Sequence, residues 1–450
     1  LDYVVNLYKA LRLGPGQTAA FVGAGGKSAA IARLVNEIEG EVPVVVTTTT
    51  HLGVEQSNWT QSHLVRYSSD TRPQLLKAIQ NAQSVLVTGP LNAAGDRWTG
   101  LGQPALEKLW RDTIEQGAVF LIEADGARRR WIKAPDDHEP VLPVFADLVV
   151  PVVGMQAWGR KLNNEIAHRP ELLASRLGIK LGERLEDEHF LAWATSEDLA
   201  LKNVPPGSRV RILINQVASE TLREAARRIA SSLRADPRVE ATVMANIGRE
   251  PEWMECVGRI AGVVLAAGGS SRTQRQKLLY AWRGKPLVRH VVEIGLGAGL
   301  EPVVVVLGES AESIRSALAD LPVTFVMNPD WQDGQSSSVR TGLTSIGLAV
   351  EAAVFLLGDM PLVTDALIKG LISAHQSSLA PIVAPWADER WGNPVLFDRV
   401  TFDDLEQVEG DRGGRHLFDR FSILPVPAGP EALFDCDTNE DLKWLTAHYP

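Results

Sequence analysis

The sequence predicts two α/β units in one chain, residues 1–257 and 258–450, each built around a mostly parallel sheet. Short β-branched runs alternate with amphipathic helical segments along the chain, the pattern of parallel strands joined by crossing helices. Two apolar runs, 19–22 and 260–265, lead straight into glycine-rich loops, so the arrangement starts twice. At 450 residues the chain is also too long for one ordinary core.

Taken in order, strands are expected at 19–22, 42–46, 84–87, 119–122, 148–152 and 209–214, with helices between them such as 27–38 and 105–115. Residues 1–13 read as a helix of a soluble protein: no basic flank and long apolar run with a small-residue cleavage site stands there. A second series of strands is expected at 260–265, 302–307, 323–327, 353–357 and 381–383, with the boundary near Val257. No fixed-period repeat or low-complexity tract argues for a solenoid or a linker array.

Composition narrows the function classes. The chain is 45% hydrophobic and 22% charged, enough apolar material for sizeable cores. Its 45 Lys and Arg against 55 Asp and Glu give a net charge of -10, which disfavours broad binding to nucleic-acid backbones. Anionic ligands must then be held by local sites. Cys256 and Cys436 stand too far apart for a disulfide framework or a zinc cluster of closely spaced thiolates, so a cytoplasmic protein is expected. No stretch approaches the ~20 apolar residues needed to span a bilayer.

The loop Gly23-Ala24-Gly25-Gly26-Lys27-Ser28 follows a predicted strand and opens a predicted helix, the context of a phosphate-binding loop. Phe21 stands where the usual loop has glycine, so the spacing fits a compact P-loop-like variant. In such a loop Gly23, Gly25 and Gly26 bring the backbone to the phosphates, Lys27 reaches the β and γ phosphates, and the Ser28 hydroxyl ligates a metal. Thr47–Thr50 with His51, and Glu123, Asp125 and Gly126, close two further strands, which makes Asp125 a candidate metal ligand and ATP or GTP a candidate nucleotide. Asn215-Gln216-Val217 occupies the place of a guanine reader but lacks its lysine and aspartate. Arg128, Arg129 and Arg130 read either as an anion site or as a solvated face.

In the second unit, Leu265-Ala266-Ala267-Gly268-Gly269-Ser270-Ser271-Arg272 with Lys277 places small residues and two cations after a strand, where amides can approach phosphate oxygens. Gly358-Asp359-Met360-Pro361 follows an apolar run, putting Asp359 at the carboxyl edge of a parallel strand as a magnesium ligand for a triphosphate. Gly334, Ser336, Ser337, Ser338 and Arg340 form a polar loop ahead of a helix, with Ser337 and Ser338 as nucleotide contacts. Gly392-Asn393-Pro394, the 410–415 loop and Asp435-Cys436-Asp437-Thr438 complete the series.

In this order, the motifs resemble the MocA-like molybdenum cofactor cytidylyltransferases of the nucleotidyltransferase superfamily, across the whole second unit. The resemblance implies a Rossmann-like three-layer α/β nucleotidyltransferase fold, with Arg272, Lys277 and Asp359 as the catalytic residues and Arg272 and Lys277 on the phosphates. Leu265, Ala266, Ala267, Gly268, Gly269 and Gly358 then line the nucleotide site, and Asp359 and Asp437 hold Mg²⁺. Ala267 matches the form that resembles cytidine users, where guanylyltransferases usually carry glycine; its methyl narrows a base pocket against purines. Thr273, Gln274 and Asn393 depart from the residues usual in that family.

Glu123-Ala124-Asp125-Gly126-Ala127, Gly89-Pro90-Leu91 and His168-Arg169-Pro170-Glu171 resemble YqeC-type proteins over residues 1–253, which implies an accessory role in maturing selenium-dependent molybdenum hydroxylases. The expected function is transfer of CMP from CTP to the phosphate of a molybdenum-pterin cofactor, aided by a nucleotide-binding first unit, with small-molecule substrates and a molybdenum hydroxylase client as partners. Two other readings share the motifs: transfer to another phosphorylated acceptor such as a sugar phosphate, and a non-catalytic cofactor chaperone.

Overall fold

The computed structural model describes residues 5–250, 252–268, 277–347, 349–410 and 413–450. The chain divides into two compact units on either side of the Val257–Gly258 bond. Among the described residues, no helix is long and apolar enough to cross a membrane.

In the first unit a nine-stranded sheet runs in the order Met254–Gly258, Ala241–Ala245, Arg209–Asn215, Leu148–Gly154, Thr18–Gly23, Val119–Glu123, Val44–Thr48, Ser84–Thr88, Ser62–Val65. Pairings from Ala241–Ala245 across to Ser62–Val65 are parallel. The central strands are buried along their whole length, as a sheet covered on both faces requires. One core cluster packs Leu75, Ile79, Leu106 and Leu109 of helices Arg72–Gln80 and Gln103–Ile114 against Ala20, Val45, Val85 and Phe120. Another gathers Phe190, Trp193, Ala226 and Ile229 of helices Asp187–Thr195 and Glu220–Leu233 around Ile212 and Ile214.

Most expected strands lie within a residue or two of their predicted bounds. The 42–46 strand instead runs Val44–Thr48: the Val42 amide still closes the preceding helix on Ile38 O at 3.1 Å, and Thr48 pairs onward with Glu123. Within residues 5–13 only Leu7–Ala10 is helical. Ser62–Val65 and Ala241–Ala245 were not expected; both are short, and only their place beside a neighbouring strand makes them strands.

The second unit is a three-layer α/β domain. Its sheet runs Thr324–Met327, Val303–Leu307, Ile260–Ala266, Ala352–Leu357, Val395–Asp398, Ile382–Ala387, Arg390–Trp391, with Ile423–Pro427 parallel to Ile382–Ala387. Ile260–Ala266 is parallel to both its neighbours, while Val395–Asp398 is antiparallel to Ala352–Leu357. Alternation along Ile260–Ala266 sends Ile260 and Val264 to a cluster with Val288, Val291, Ile368 and Leu371 of two helices, Leu287–Gly297 and Asp365–Ser378. Ala261 and Val263 face a second cluster holding Val339 and Leu343 of helix Gln335–Ser345.

Candidate functional sites

Register brings the first site together. Phe21 pairs with Glu123, Gly23 with Val152, and Thr48 with Glu123, so the glycine loop and the acidic segment meet at one carboxyl edge of the sheet. Gly25, at φ +85°, packs so closely on the Gly154 backbone that a β-carbon would collide with it. Its amide donates to Arg130 O at 2.9 Å and its carbonyl accepts from Asn215 Nδ2 at 3.0 Å. The loop feeds helix Lys27–Ile38, whose first N–H groups have no partner within the helix.

The Lys27 ammonium is buried in this structure, 2.6 Å from Gly23 O and 3.0 Å from Asp125 Oδ1. Asp125 also accepts from the Gly23 amide at 3.0 Å and meets Lys133 at 2.9 Å. Lys133 in turn meets Glu139 at 2.8 Å, and Glu139 takes a forked pair from Arg169 at 2.8 and 2.9 Å. These alternating charges connect the glycine loop to the His168-Arg169 segment. Although burial alone would raise the Glu139 carboxyl, its bonds to Arg169 and Lys133 hold it far below the usual range. Burial, then Arg169 and Lys133, lowers His168 to about 4.

Of the two predicted carboxylates, Glu123 and not Asp125 meets Ser28, whose Oγ donates to Glu123 Oε2 at 3.0 Å and accepts from Gln56 Nε2 at 2.8 Å. Asp125, the expected metal ligand, is paired with Lys27 and Lys133. Burial raises the Glu123 carboxyl, opposed by Lys27 and Ser28. The threonines tie strand ends: Thr48 Oγ1 donates to Glu123 O at 2.8 Å and Thr49 Oγ1 to Ala124 O at 3.2 Å. Arg128 and Arg129 are exposed, and Arg129 makes a 3.3 Å surface pair with Glu55, the geometry of a solvated face.

In the second unit, Ile260–Ala266 delivers Ala267, buried to 2% exposure, and the exposed Gly268. Gly308 passes so close to the Ala267 carbonyl that a β-carbon there would collide with it. The Gly358 amide donates to Leu265 O at 3.1 Å, joining the two strand ends. Lys277 Nζ sits 2.6 Å from Asp359 Oδ2 and 2.7 Å from Asp437 Oδ1. Desolvation opposes the charge on Lys277, but the two carboxylates prevail and hold its pKa above the usual lysine value. Arg272, Gly269, Ser270, Ser271, Thr273 and Gln274 lie outside the described residues, as do Asp411 and Arg412.

Ser337 and Ser338 lie within helix Gln335–Ser345, not in a loop ahead of it, because Gly334 at φ +100° is already the N-cap. Both hydroxyls are buried and accept from Asn328 Nδ2, at 2.9 and 3.0 Å. Arg340 donates to Val408 O. Beside Leu265 and Met360 opens a cavity of about 940 Å³ whose walls include Phe355, Trp391, Phe397, Arg390, Asn393 and Arg415. Asp359 and Asp437 converge on one cation and so suit a divalent ion, but among the described residues no group of three or more His, Cys, Asp or Glu is placed to hold one. Sequence reasoning missed Lys133, Glu139, Gln56, Asn328 and Gly308; no local motif marks them, and their partners sit on other segments that only the fold brings alongside.

Comparison with known proteins fits this division. The model of the YqeC protein family matches residues 19–171, and that of the MobA-like NTP transferase domain matches residues 262–424. The uncharacterized protein YqeC of Escherichia coli (strain K12) is 30% identical over 202 residues, 43% of this chain and 74% of that protein. The chain therefore belongs to the YqeC family through its first unit and carries a MobA-like NTP transferase domain in its second, whose reaction class is nucleotidyl transfer. The bifunctional protein GlmU of Shouchella clausii (strain KSM-K16) is 32% identical over 154 residues, 34% of this chain, which spans 33% of that protein. The crystal structure of Rv0371c from Mycobacterium tuberculosis H37Rv is 27% identical with a TM-score of 0.39, covering 42% of this chain and 98% of that one.

Proposed function

We propose that the second unit transfers CMP from CTP to the phosphate of a molybdenum-pterin cofactor, releasing pyrophosphate, and that the first unit binds ATP or GTP and assists maturation of a molybdenum hydroxylase. The observation that carries this reading is the convergence of Lys277, Asp359 and Asp437 beside the Ala267–Gly268 segment of an NTP transferase domain. Ala267 stands where the cytidine users that this unit resembles carry alanine, which favours CTP over GTP. The neighbouring cavity, about 940 Å³ with aromatic walls and two arginines, suits a fused heterocycle bearing a phosphate.

The reaction asks little acid–base chemistry of the protein. A terminal phosphate with a second pKa of about 6 is already ionised at neutral pH. Its oxygen bonds to the α-phosphorus of CTP as the bond from that phosphorus to the pyrophosphate oxygen breaks, with no net proton transfer. Lys277, kept charged by its surroundings, offsets negative charge on the phosphates, and strand-end amides near Ala267 orient them. Asp359 and Asp437 would hold Mg²⁺, which supplies charge neutralisation of the triphosphate when bound. In the first unit, Ser28 and Glu123 are the pair that would serve a metal-bound nucleotide, with the start of helix Lys27–Ile38 facing its phosphates.

Pyrophosphate release with Mg²⁺ and molybdenum-loaded pterin, compared across CTP, GTP and ATP, tests the reading. CTP-selective release that Asp359→Ala abolishes is expected. GTP selectivity overturns the base assignment, release only with another phosphorylated acceptor overturns the pterin assignment, and no release with any nucleotide favours a cofactor-binding chaperone.

A further inference from the structure

The carboxylates of Asp359 and Asp437 come from different segments, yet their separation is set by the backbone. Asp359 follows strand Ala352–Leu357, and Asp437 precedes Thr438, the N-cap of helix Asn439–His448. Between them, the Cys436 amide donates to the Asp359 carbonyl at 3.0 Å. Thr438 is fixed in a reciprocal capping box with Asp441. The cation shared by the two carboxylates is, by contrast, the end of a flexible side chain: Lys277 Nζ lies 2.6 Å from one and 2.7 Å from the other.

An ammonium and a divalent ion are both positive and seek the same oxygens, so they compete for this carboxylate pair. Two carboxylates are also few ligands for a divalent ion, which completes its shell from phosphate oxygens and water. A nucleoside triphosphate provides both what the metal lacks and an alternative anion for Lys277.

We propose that Lys277 is a placeholder cation: it fills the Asp359–Asp437 pair in the nucleotide-free protein and yields it on nucleotide arrival, so that the metal enters only together with the triphosphate. The inference rests on the nucleotidyl-transfer reading and adds an order of binding to it. Partner exchange keeps both carboxylates compensated throughout, and it keeps a lone divalent ion out of the site.

Calorimetric titration of Mn²⁺ into the full chain, with and without a non-hydrolysable CTP analogue, tests this. Binding that Asp437→Asn removes is assigned to this site, which separates it from metal at Ser28 and Glu123. Wild-type protein is expected to show such binding only with the analogue, whereas Lys277→Met shows it without, about tenfold tighter or more than wild type. Lys277→Gln, which keeps a polar contact but no charge, is expected to behave like Lys277→Met. Equal nucleotide-free affinity in wild type and both variants, or none in any of them despite binding with the analogue, overturns the placeholder and leaves the transferase reading standing. If no Asp437-dependent binding occurs even with the analogue, the metal assignment itself fails and the inference with it.

Discussion

Ser28 Oγ donates to Glu123 Oε2 across 3.0 Å, tying the first turn of the helix after the glycine loop to the last residue of a neighbouring strand. Burial raises the Glu123 carboxyl, so a neutral amide is tolerated there while a metal-dependent role is not. Glu123→Gln is expected to leave the melting temperature unchanged or higher and to weaken Mg²⁺-dependent nucleotide binding on the order of 10- to 100-fold. Thermal melts and nucleotide titrations check this; unchanged titrations would remove Glu123 from the site.

Lys133 is 1% exposed and bridges Asp125 and Glu139, so Lys133→Met removes one cation from each, leaving Asp125 to Lys27 and Glu139 to Arg169. A loss of about 1–3 kcal/mol is expected in denaturant unfolding of the first unit. Asp125→Asn in the same chain should recover part of that loss, a coupling a double-mutant cycle would read directly.

Asn215, 1% exposed, donates to Gly25 O and accepts from the Ile247 amide, each at 3.0 Å. Asn215→Ala leaves both backbone groups without this partner, at a cost of about 1–3 kcal/mol. Hydrogen exchange at Ile247 should accelerate alongside; protection equal to wild type would mean that another group has taken Asn215's place.

His168 titrates at about 4 in the folded protein against 6.5 as its ordinary value, so between those limits the unfolded chain binds more protons. Stability contributed at neutral pH is therefore lost as pH falls from about 7 toward 4, and His168→Gln should flatten that decline. Parallel urea titrations at pH 7 and 5 give the comparison, and identical pH slopes in the two proteins would contradict it.

At Gly308 a β-carbon would meet the Ala267 carbonyl, and a side chain there must displace the strand end proposed to face the nucleotide. Gly308→Ala is expected to cost about 1–3 kcal/mol by overpacking and to raise KM for the nucleotide more than it lowers kcat. Unaltered KM with the predicted loss of stability would place Ala267 away from the substrate.

The strands with strong β-branched runs, such as Leu148–Gly154 and Val303–Leu307, were legible because continuous apolar runs mark strands buried on both faces. The first glycine loop was legible for the same reason, lying directly after such a run. Side-chain partnerships were not. Lys133 could not be matched to Asp125, nor Asn215 to Gly25, because periodicity reports which face of an element is buried and not which residue it meets. Ser337 and Ser338 looked like loop residues because serine favours helix starts; only the positive φ of Gly334 shows the helix beginning before them.

The parallel register of the first unit dictates an order of assembly. Thr18–Gly23 lies between strands Val119–Glu123 and Leu148–Gly154, so the glycine loop stays unsupported until chain more than a hundred residues downstream of it has appeared. Asn215 arrives later still. A ribosome-bound fragment ending before residue 148 would thus carry the glycine-loop sequence without strand Leu148–Gly154, and the loop would take its observed shape only once that strand had been translated.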